Sequence, residues 1–466
     1  MAYCGYVTNL KNVREHPNAD RLVLADCFIN TICVAKDKYT EGQLGIYFPT
    51  DGQLSMEFCE QNGLLAVYEN GVNVSGGYLD PAKRNVKAIK LRGEKSDGLF
   101  LPLECLAYTG VDISTLKAGD QITVVNGKEI CTKYIPKAKN PNPKSTPKKK
   151  EVKVKYQATP TFFEHKDTEQ LAYNLDAFKP GDEIEITLKM HGTSQRTGYH
   201  KVHVGYKKSL LDKILRRPGT PIYDWGQANG TRRTVLKDFE GGFYGSNEFR
   251  EPHAKAFEGK LWKGETVYYE VVGFTHTGAP IMATCSNKKL NDKEFTKLYG
   301  ETTTFSYGCE PDGAKQEYNE ADESVTFVSA PQSDIYVYRM TMTNEDGDTV
   351  EYTPDFMRYR CELMGVKCVP VLWSGRIPQN PGSKDDPTIS AGEWIKNVAE
   401  RYYDGPDPID KTHVREGVVV RILNRPTFAA YKHKNFSFKV LEGIIKDSAD
   451  APDMEEADGL DQEVTE

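Results

Sequence analysis

The sequence has no Cys-x-x-Cys pair. Its ten cysteines also lack the spacing of a short zinc site, since Cys27 with Cys33 and Cys361 with Cys368 stand too far apart for the common knuckle. This excludes a short-motif zinc module and leaves reduced, mostly buried thiols as the expected state, which suits a cytoplasmic protein. No uncharged apolar run is long enough to span a bilayer, so a transmembrane helix is excluded and no membrane partner is expected. The opening Met-Ala-Tyr-Cys-Gly-Tyr carries neither a basic stretch nor an apolar core, so no signal peptide is expected. Nor does charge of one sign dominate: the net charge is −7 over 466 residues, too small to name a partner. The distribution says more, because lysines crowd around residue 150 and acidic residues follow Lys446. The length suggests two or three domains.

Residues 1–133 read as short strands between glycine turns: Arg21–Cys27, Thr31–Ala35, Leu44–Phe48 and Gln121–Val125. Regularly spaced short strands suggest a small barrel or sandwich. Lys83, Arg84, Lys87, Lys90 and Arg92 are candidates for phosphate contact, or simply a solvated face. Residues 134–158 form a basic Pro/Lys linker without apolar periodicity, extended and solvated; it either tethers two domains or also tracks phosphates. The last segment, 447–466, is acidic and expected to be disordered.

Between them, 159–446 carries the residues that suggest chemistry. In Glu183–Leu188, Ile184, Ile186 and Leu188 alternate with polar residues, the pattern of a half-buried strand. Lys189 follows at the strand end, where a lysine has no packing reason to be, and Gly192 then lets the backbone approach a bound group. Downstream, Glu270 interrupts the apolar strand Thr266–Phe274, where a carboxylate needs a partner. Either a ribose hydroxyl or a core arginine would serve. Arg232 and Arg233 flank a glycine turn and suit phosphate oxygens. In Asp334–Met342, the side chains of Tyr336, Tyr338 and Met340 are expected on one face, where an aromatic either stacks on a base or packs as core. Glu416 opens the β-branched strand Gly417-Val-Val-Val-Arg421, and Lys432 and Lys434 alternate on a second strand, two like charges that call for an anion. Tyr352–Met364 is expected as a helix or a mixed segment, and Gly392–Arg401 as a short helix.

In order, Lys189-x-His-Gly192, Glu270, Tyr338, Glu416-Gly-Val-Val-Val-Arg421 and Lys432-x-Lys434 resemble the nucleotidyl-transfer motifs of the covalent nucleotidyltransferases, the superfamily of DNA ligases, RNA ligases and capping enzymes. The His191-Gly192-Thr193-Ser194 continuation and Lys432-His433-Lys434-Asn435 are most similar to ATP-dependent RNA ligases. In the N-terminal part, His16–Leu22 and Arg92–Leu99 resemble the paired signature of OB modules that bind tRNA. An OB module before the catalytic domain, with only about thirty residues after Lys434, is similar to the fifth RNA ligase family, which seals nicks in duplexes. The match departs in carrying extra sequence between its first motifs and again before Glu416.

The resemblance implies an α+β fold: an all-β OB-fold barrel, then a nucleotidyltransferase domain of ATP-grasp-like antiparallel sheets with helices. It implies a monomer in which Lys189 attacks ATP to form a lysyl-AMP. Glu270 would hold the ribose, Tyr338 (or Tyr336) stack on adenine, and Glu416 orient Lys189 or a Mg²⁺ or Mn²⁺ ion, directly or through water. Lys432 and Lys434 would contact the phosphates, with Gly192 in the nucleotide site and Arg232 or Arg233 on the 5′-phosphate of an RNA or RNA-containing nicked duplex. Two rival readings are a DNA ligase or GTP-dependent capping-type enzyme, and a non-enzymatic RNA or tRNA binder.

Overall fold

The computed structural model describes residues 3–135, 159–215, 217, 219–239, 247–311, 314–319, 324–329, 332–382 and 387–447. The expected basic linker beyond residue 135 and the acidic tail beyond Asp447 lie outside them. The chain groups into two compact units: Met1–Lys137 with Glu169–Leu175 and Lys434–Ser448, and a second unit of the remaining residues.

The first unit is dominated by antiparallel strands. One sheet runs Leu99–Pro102, Leu44–Phe48, Gly5–Asn9, Gln121–Ile122, and a second runs Lys11–Glu15, Leu22–Cys27, Asn30–Ala35. The strand Leu44–Phe48 shows how the core forms. Successive side chains leave a strand on opposite faces, and here Ile46 and Phe48 join one apolar cluster while Tyr47 joins another. Both faces are therefore covered, which is why the strand reads as an unbroken apolar run. The two signature stretches meet: His16 Nε2 lies 3.0 Å from the Leu91 carbonyl, and the Asn18 amide donates to the Arg92 carbonyl at 3.0 Å. They brace the hairpin Ala88–Leu91/Glu94–Asp97. Arg84 spends its guanidinium on the carbonyls of Leu54 and Pro81. The helix Phe436–Asp447 adds Lys439, whose ammonium reaches Asp97 at 2.6 Å.

The second unit is built on two further antiparallel sheets. In the first, neighbours run Ala429–Lys434, Gly417–Ile422, Glu183–Leu188, Val371–Arg376; the second runs Thr220–Thr231, Thr193–Lys207, Glu265–Gly273, Ser333–Thr343. Alternation assigns their faces. Val267, Tyr269 and Val271 enter a buried apolar cluster together with Met357, Cys361 and Met364 of the helix Pro354–Met364. Thr266, Tyr268 and Glu270 face the other way. That helix starts where Thr353 caps the Phe356 N–H and ends at Gly365 with φ +72°. Ser390 and Glu393 form a capping box for Ala391–Glu400. Both helices fall where the sequence predicts them.

One expectation on strand faces fails. Tyr269 pairs with Val337 but Tyr268 with Arg339, so one extra residue bulges from the strand at Tyr338. The bulge resets the alternation. Met340 consequently joins Ile335 and Val337 in the core rather than sharing a face with Tyr336 and Tyr338. No described helix is long and apolar enough to cross a membrane.

Candidate active site

The polar faces of the two sheets in the second unit line a cavity of about 950 Å³, open solvent included. One sheet supplies Glu185, Thr187, Val419, Arg421, Ala430 and Lys432, and the other Ser194, Glu270 and Tyr338. Lys189 enters from the end of its strand. Its backbone N–H donates to the Gly417 carbonyl at 3.0 Å, and Leu188 pairs with Val418. This register sets the turn after Leu188 beside the residue before Gly417, which is Glu416. The Lys189 ammonium then sits 2.6 Å from Glu416 Oε1. Gly417 has φ +149°, a conformation that suits glycine and not a residue with a Cβ. Arg415 anchors the same turn by donating to the carbonyls of Pro406 and Tyr402 at 2.8 and 2.6 Å.

Glu416 is 2% exposed and Lys189 16%, so the pair is strengthened by a low local dielectric and by little screening. His191 Nδ1 stands 3.6 Å from Glu416 Oε2. Its backbone N–H donates to the Tyr307 hydroxyl at 2.7 Å, and its ring meets Phe305 edge-on. His413 packs on Phe305 and Tyr307, and burial lowers its pKa from the ordinary histidine value, favouring the neutral ring. In the loop before Glu416, burial pushes the Asp407 carboxyl up to about 6, although the backbone N–H groups of Ile409 and Asp410 pull it down.

The turn after Lys189 is held by a buried cation. Arg250 is fully buried and donates to the Ser194 carbonyl (3.1 Å) and the Thr193 hydroxyl (2.7 Å). Gly192 packs against the neighbouring strand: a Cβ there would stand 2.3 Å from the Val271 carbonyl oxygen. Its close approach is thus to backbone. Ser194 pairs with Glu270 across the sheet, and its hydroxyl lies 2.9 Å from that of Tyr338.

An aromatic wall completes the cavity. His165 meets Tyr338 at 5.0 Å and Phe428 at 5.8 Å between ring centroids. The Arg421 guanidinium lies 5.1 Å over Phe428. Burial lowers the Arg421 pKa from its usual value. Arg358 pairs with Glu185 at 2.8 Å. Lys432 lines the cavity, whereas Lys434 gives its ammonium to both oxygens of Glu442 at 2.9 Å. Arg232 also lines it, with its guanidinium forked onto Asp167. Burial raises the Asp167 carboxyl, but the Arg232 charge and hydrogen bonds outweigh this and hold it below the usual range. Arg233 is 54% exposed and 3.9 Å from the same carboxylate.

The sheets therefore bring Lys189, Gly192, Glu270, Tyr338, Glu416, Lys432 and Arg232 into one region; Tyr336 does not line the cavity. Sequence reasoning missed His165, Phe428, Arg421, Arg358 and Arg250. Arg421 ends the very motif that begins at Glu416, and its outward alternation from Val418 and Val420 was the available signal. The others carry no local signal, since only tertiary placement gives them a role. Among the described residues no group of three His, Cys, Asp or Glu side chains could hold a metal by itself.

No family model and no curated protein matches this chain. Solved structures do. A lysine-to-alanine variant of the Naegleria gruberi RNA ligase with ATP and Mn aligns with a TM-score of 0.53 and 14% identity, over 93% of this chain and 98% of that one. The same ligase with PPi gives 0.52 and 14%, over 93% and 97%. A glutamate-to-alanine variant with AMP and Mn gives 0.51 and 15%, again over 93% and 97%. The fold is that of an RNA ligase. The mixed α and β architecture expected from the sequence is borne out by this likeness.

Proposed function

We propose that the protein is an ATP-dependent RNA ligase that joins 3′-hydroxyl and 5′-phosphate ends through a lysyl-AMP and an adenylylated RNA. The observation that carries the reading is a cavity-facing lysine, Lys189, paired at 2.6 Å with the buried Glu416 beside Glu270, Tyr338 and Lys432. The likeness to a ligase with ATP, AMP or PPi supports it.

The resting ion pair holds Lys189 as an ammonium, and attack requires the amine. Glu416 Oε1, at 2.6 Å, is the acceptor within reach of that proton. The amine then forms an N–P bond to the α-phosphorus of ATP as the P–O bond to pyrophosphate breaks. Lys432 stabilises the charge of the departing phosphates. Glu270 accepts from ribose hydroxyls, and Tyr338 offers its ring to adenine with His165 and Phe428 beside it. The AMP next passes to a 5′-phosphate drawn in by Arg232 or Arg233. The 3′-hydroxyl attacks that phosphate, forming the phosphodiester and expelling AMP. A Mg²⁺ or Mn²⁺ ion would add charge neutralisation at the phosphates. Such an ion needs only one or two protein carboxylates when the substrate supplies the rest, and Glu416, directly or through water, fits that donor set.

The N-terminal unit, in our reading an OB-type barrel, grips the polynucleotide, here a nicked RNA-containing duplex, and the protein works as a cytoplasmic monomer in RNA repair. The test is sealing of an end-labelled nicked RNA duplex with ATP. The wild-type protein should convert it to the joined strand, and Lys189→Ala should not. Joining that survives in the variant would remove Lys189 from the reaction.

A further inference from the structure

Among the described residues, the strands Thr193–Lys207 and Thr220–Thr231 pair with their sheet only at the cavity end. Thr193–Gly198 pairs with Glu265–Gly273, and beyond it the described strand pairing is of the two long strands with each other. Ties to the body at this level are the Tyr199 carbonyl, which accepts from the Gly264 N–H, the Lys263 ammonium over the Trp225 ring, and the Lys201–Glu345 ion pair. From there the hairpin runs six residues to Lys207, an arm of about 20 Å. It ends in the short helix Leu210–Ile214.

That tip has an unusual surface. Leu210, Leu211, Ile214 and Leu215 are 79, 67, 74 and 53% exposed. A helix in a folded protein normally turns such residues toward a core, and this one turns them to solvent. The tip is also basic. Residues 207–217 hold five lysines and arginines against one carboxylate. That carboxylate, Asp212, is committed to the Ser209 hydroxyl and backbone N–H of its own capping box.

We propose that the arm is a duplex-gripping element, with Lys207, Lys208 and Arg217 on the phosphates and Leu210, Leu211, Ile214 and Leu215 against the exposed sugar–base surface of the minor groove. Apolar side chains framed by cations are a means by which proteins engage the minor groove of DNA, and in an RNA duplex the wide, shallow minor groove is the one open to side chains. Charge favours a polyanion over an apolar protein partner. Continuity favours a polynucleotide whose reacting end lies in the cavity, because the strand that carries the tip begins at Thr193 and Ser194. From Ser194 to Lys207 it spans at most about 43 Å, longer than one turn of a duplex. The inference deepens the proposed ligase reading and rests on it for the placement of the reacting end.

The test measures the affinity of the full-length protein for a fluorescent nicked RNA duplex as salt is varied. Two double variants are compared with wild type, Leu211→Ser with Ile214→Ser and Lys207→Ala with Lys208→Ala. All four sites are exposed, so the fold is retained. The serine variant should bind about tenfold more weakly. The alanine variant should lower the slope of log affinity against log salt by about one to two, one phosphate contact per lysine. Both should take label from ATP at the wild-type rate. Unchanged duplex affinity in both variants would overturn the proposal. So would an arm-dependent dimer in light scattering, or binding to phosphatidylserine vesicles, with duplex affinity intact. If wild-type protein takes no label from ATP at all, the ligase reading fails while the binding comparison still decides the arm.

Discussion

The Lys189 ammonium and the Glu416 carboxylate stand 2.6 Å apart, and Glu416 is the more deeply buried. Removing Lys189 therefore does two things: it deletes the proposed nucleophile and leaves a carboxylate in a poorly hydrated place. Lys189→Ala should lose nucleotide attachment entirely, and Glu416→Gln should slow it by about a hundredfold or more by removing the proton acceptor; single-turnover labelling reads both. Lys432→Ala keeps Lys189 and removes the proposed phosphate contact, so it should slow attachment by about ten- to a hundredfold, and a wild-type rate would remove that role. Asp407 supports a pH test with a definite sign. Its folded carboxyl titrates near 6 because it is buried, against about 3.9 when unfolded. The folded state thus binds its proton more tightly. That contribution to stability is complete below pH ~4 and lost as the pH rises through ~6, about 3 kcal/mol in all. Asp407→Asn keeps an acceptor for the Ile409 and Asp410 N–H groups and cannot ionise. It should melt several degrees above wild type at pH 8, with a smaller gain at pH 5; equal gains at the two pH values would show that burial does not govern the group.

Among the elements, the strand-to-turn junction at Lys189 depends on close packing. Gly192→Ala sets a methyl 2.3 Å from the Val271 carbonyl oxygen, and the turn must move off the strand that carries Glu270. The expected cost is about 1–3 kcal/mol, with attachment falling more than stability alone would explain. Thermal melting and labelling on the same sample check both. The strands of the site were legible from composition: in Glu183–Leu188 the apolar Ile184, Ile186 and Leu188 alternate with polar residues, and Gly417–Ile422 is a β-branched run. The bulge at Tyr338 was not legible, because an extra residue in one strand is defined only by its partner. His165, Phe428 and Arg250 were hidden for a related reason. Each acts on residues far away in sequence, and nothing beside it announces the contact. The two signature stretches of the N-terminal unit were legible as a pair, and in the structure they brace one hairpin through His16 and Asn18.

At the scale of the whole molecule, the basic character lies in local runs and not in the net charge of −7. In the proposed reading the protein needs both a nucleotide pocket and a track for a long polyanion, and local basic runs would supply the track without raising the net charge. The insertion after Lys189, which in sequence only lengthens the spacing between motifs, becomes the long hairpin with its basic apolar tip. The measurement that tests the central reading most directly is covalent labelling of the denatured full-length chain. The protein is first stripped of bound AMP with pyrophosphate, then given Mg²⁺ and α-labelled ATP, GTP or NAD⁺, with Lys189→Ala alongside. Label from ATP alone, absent in the variant, is the expected result. Label from GTP would make the chain a capping-type enzyme, and no label from any of the three would contradict ligase chemistry altogether.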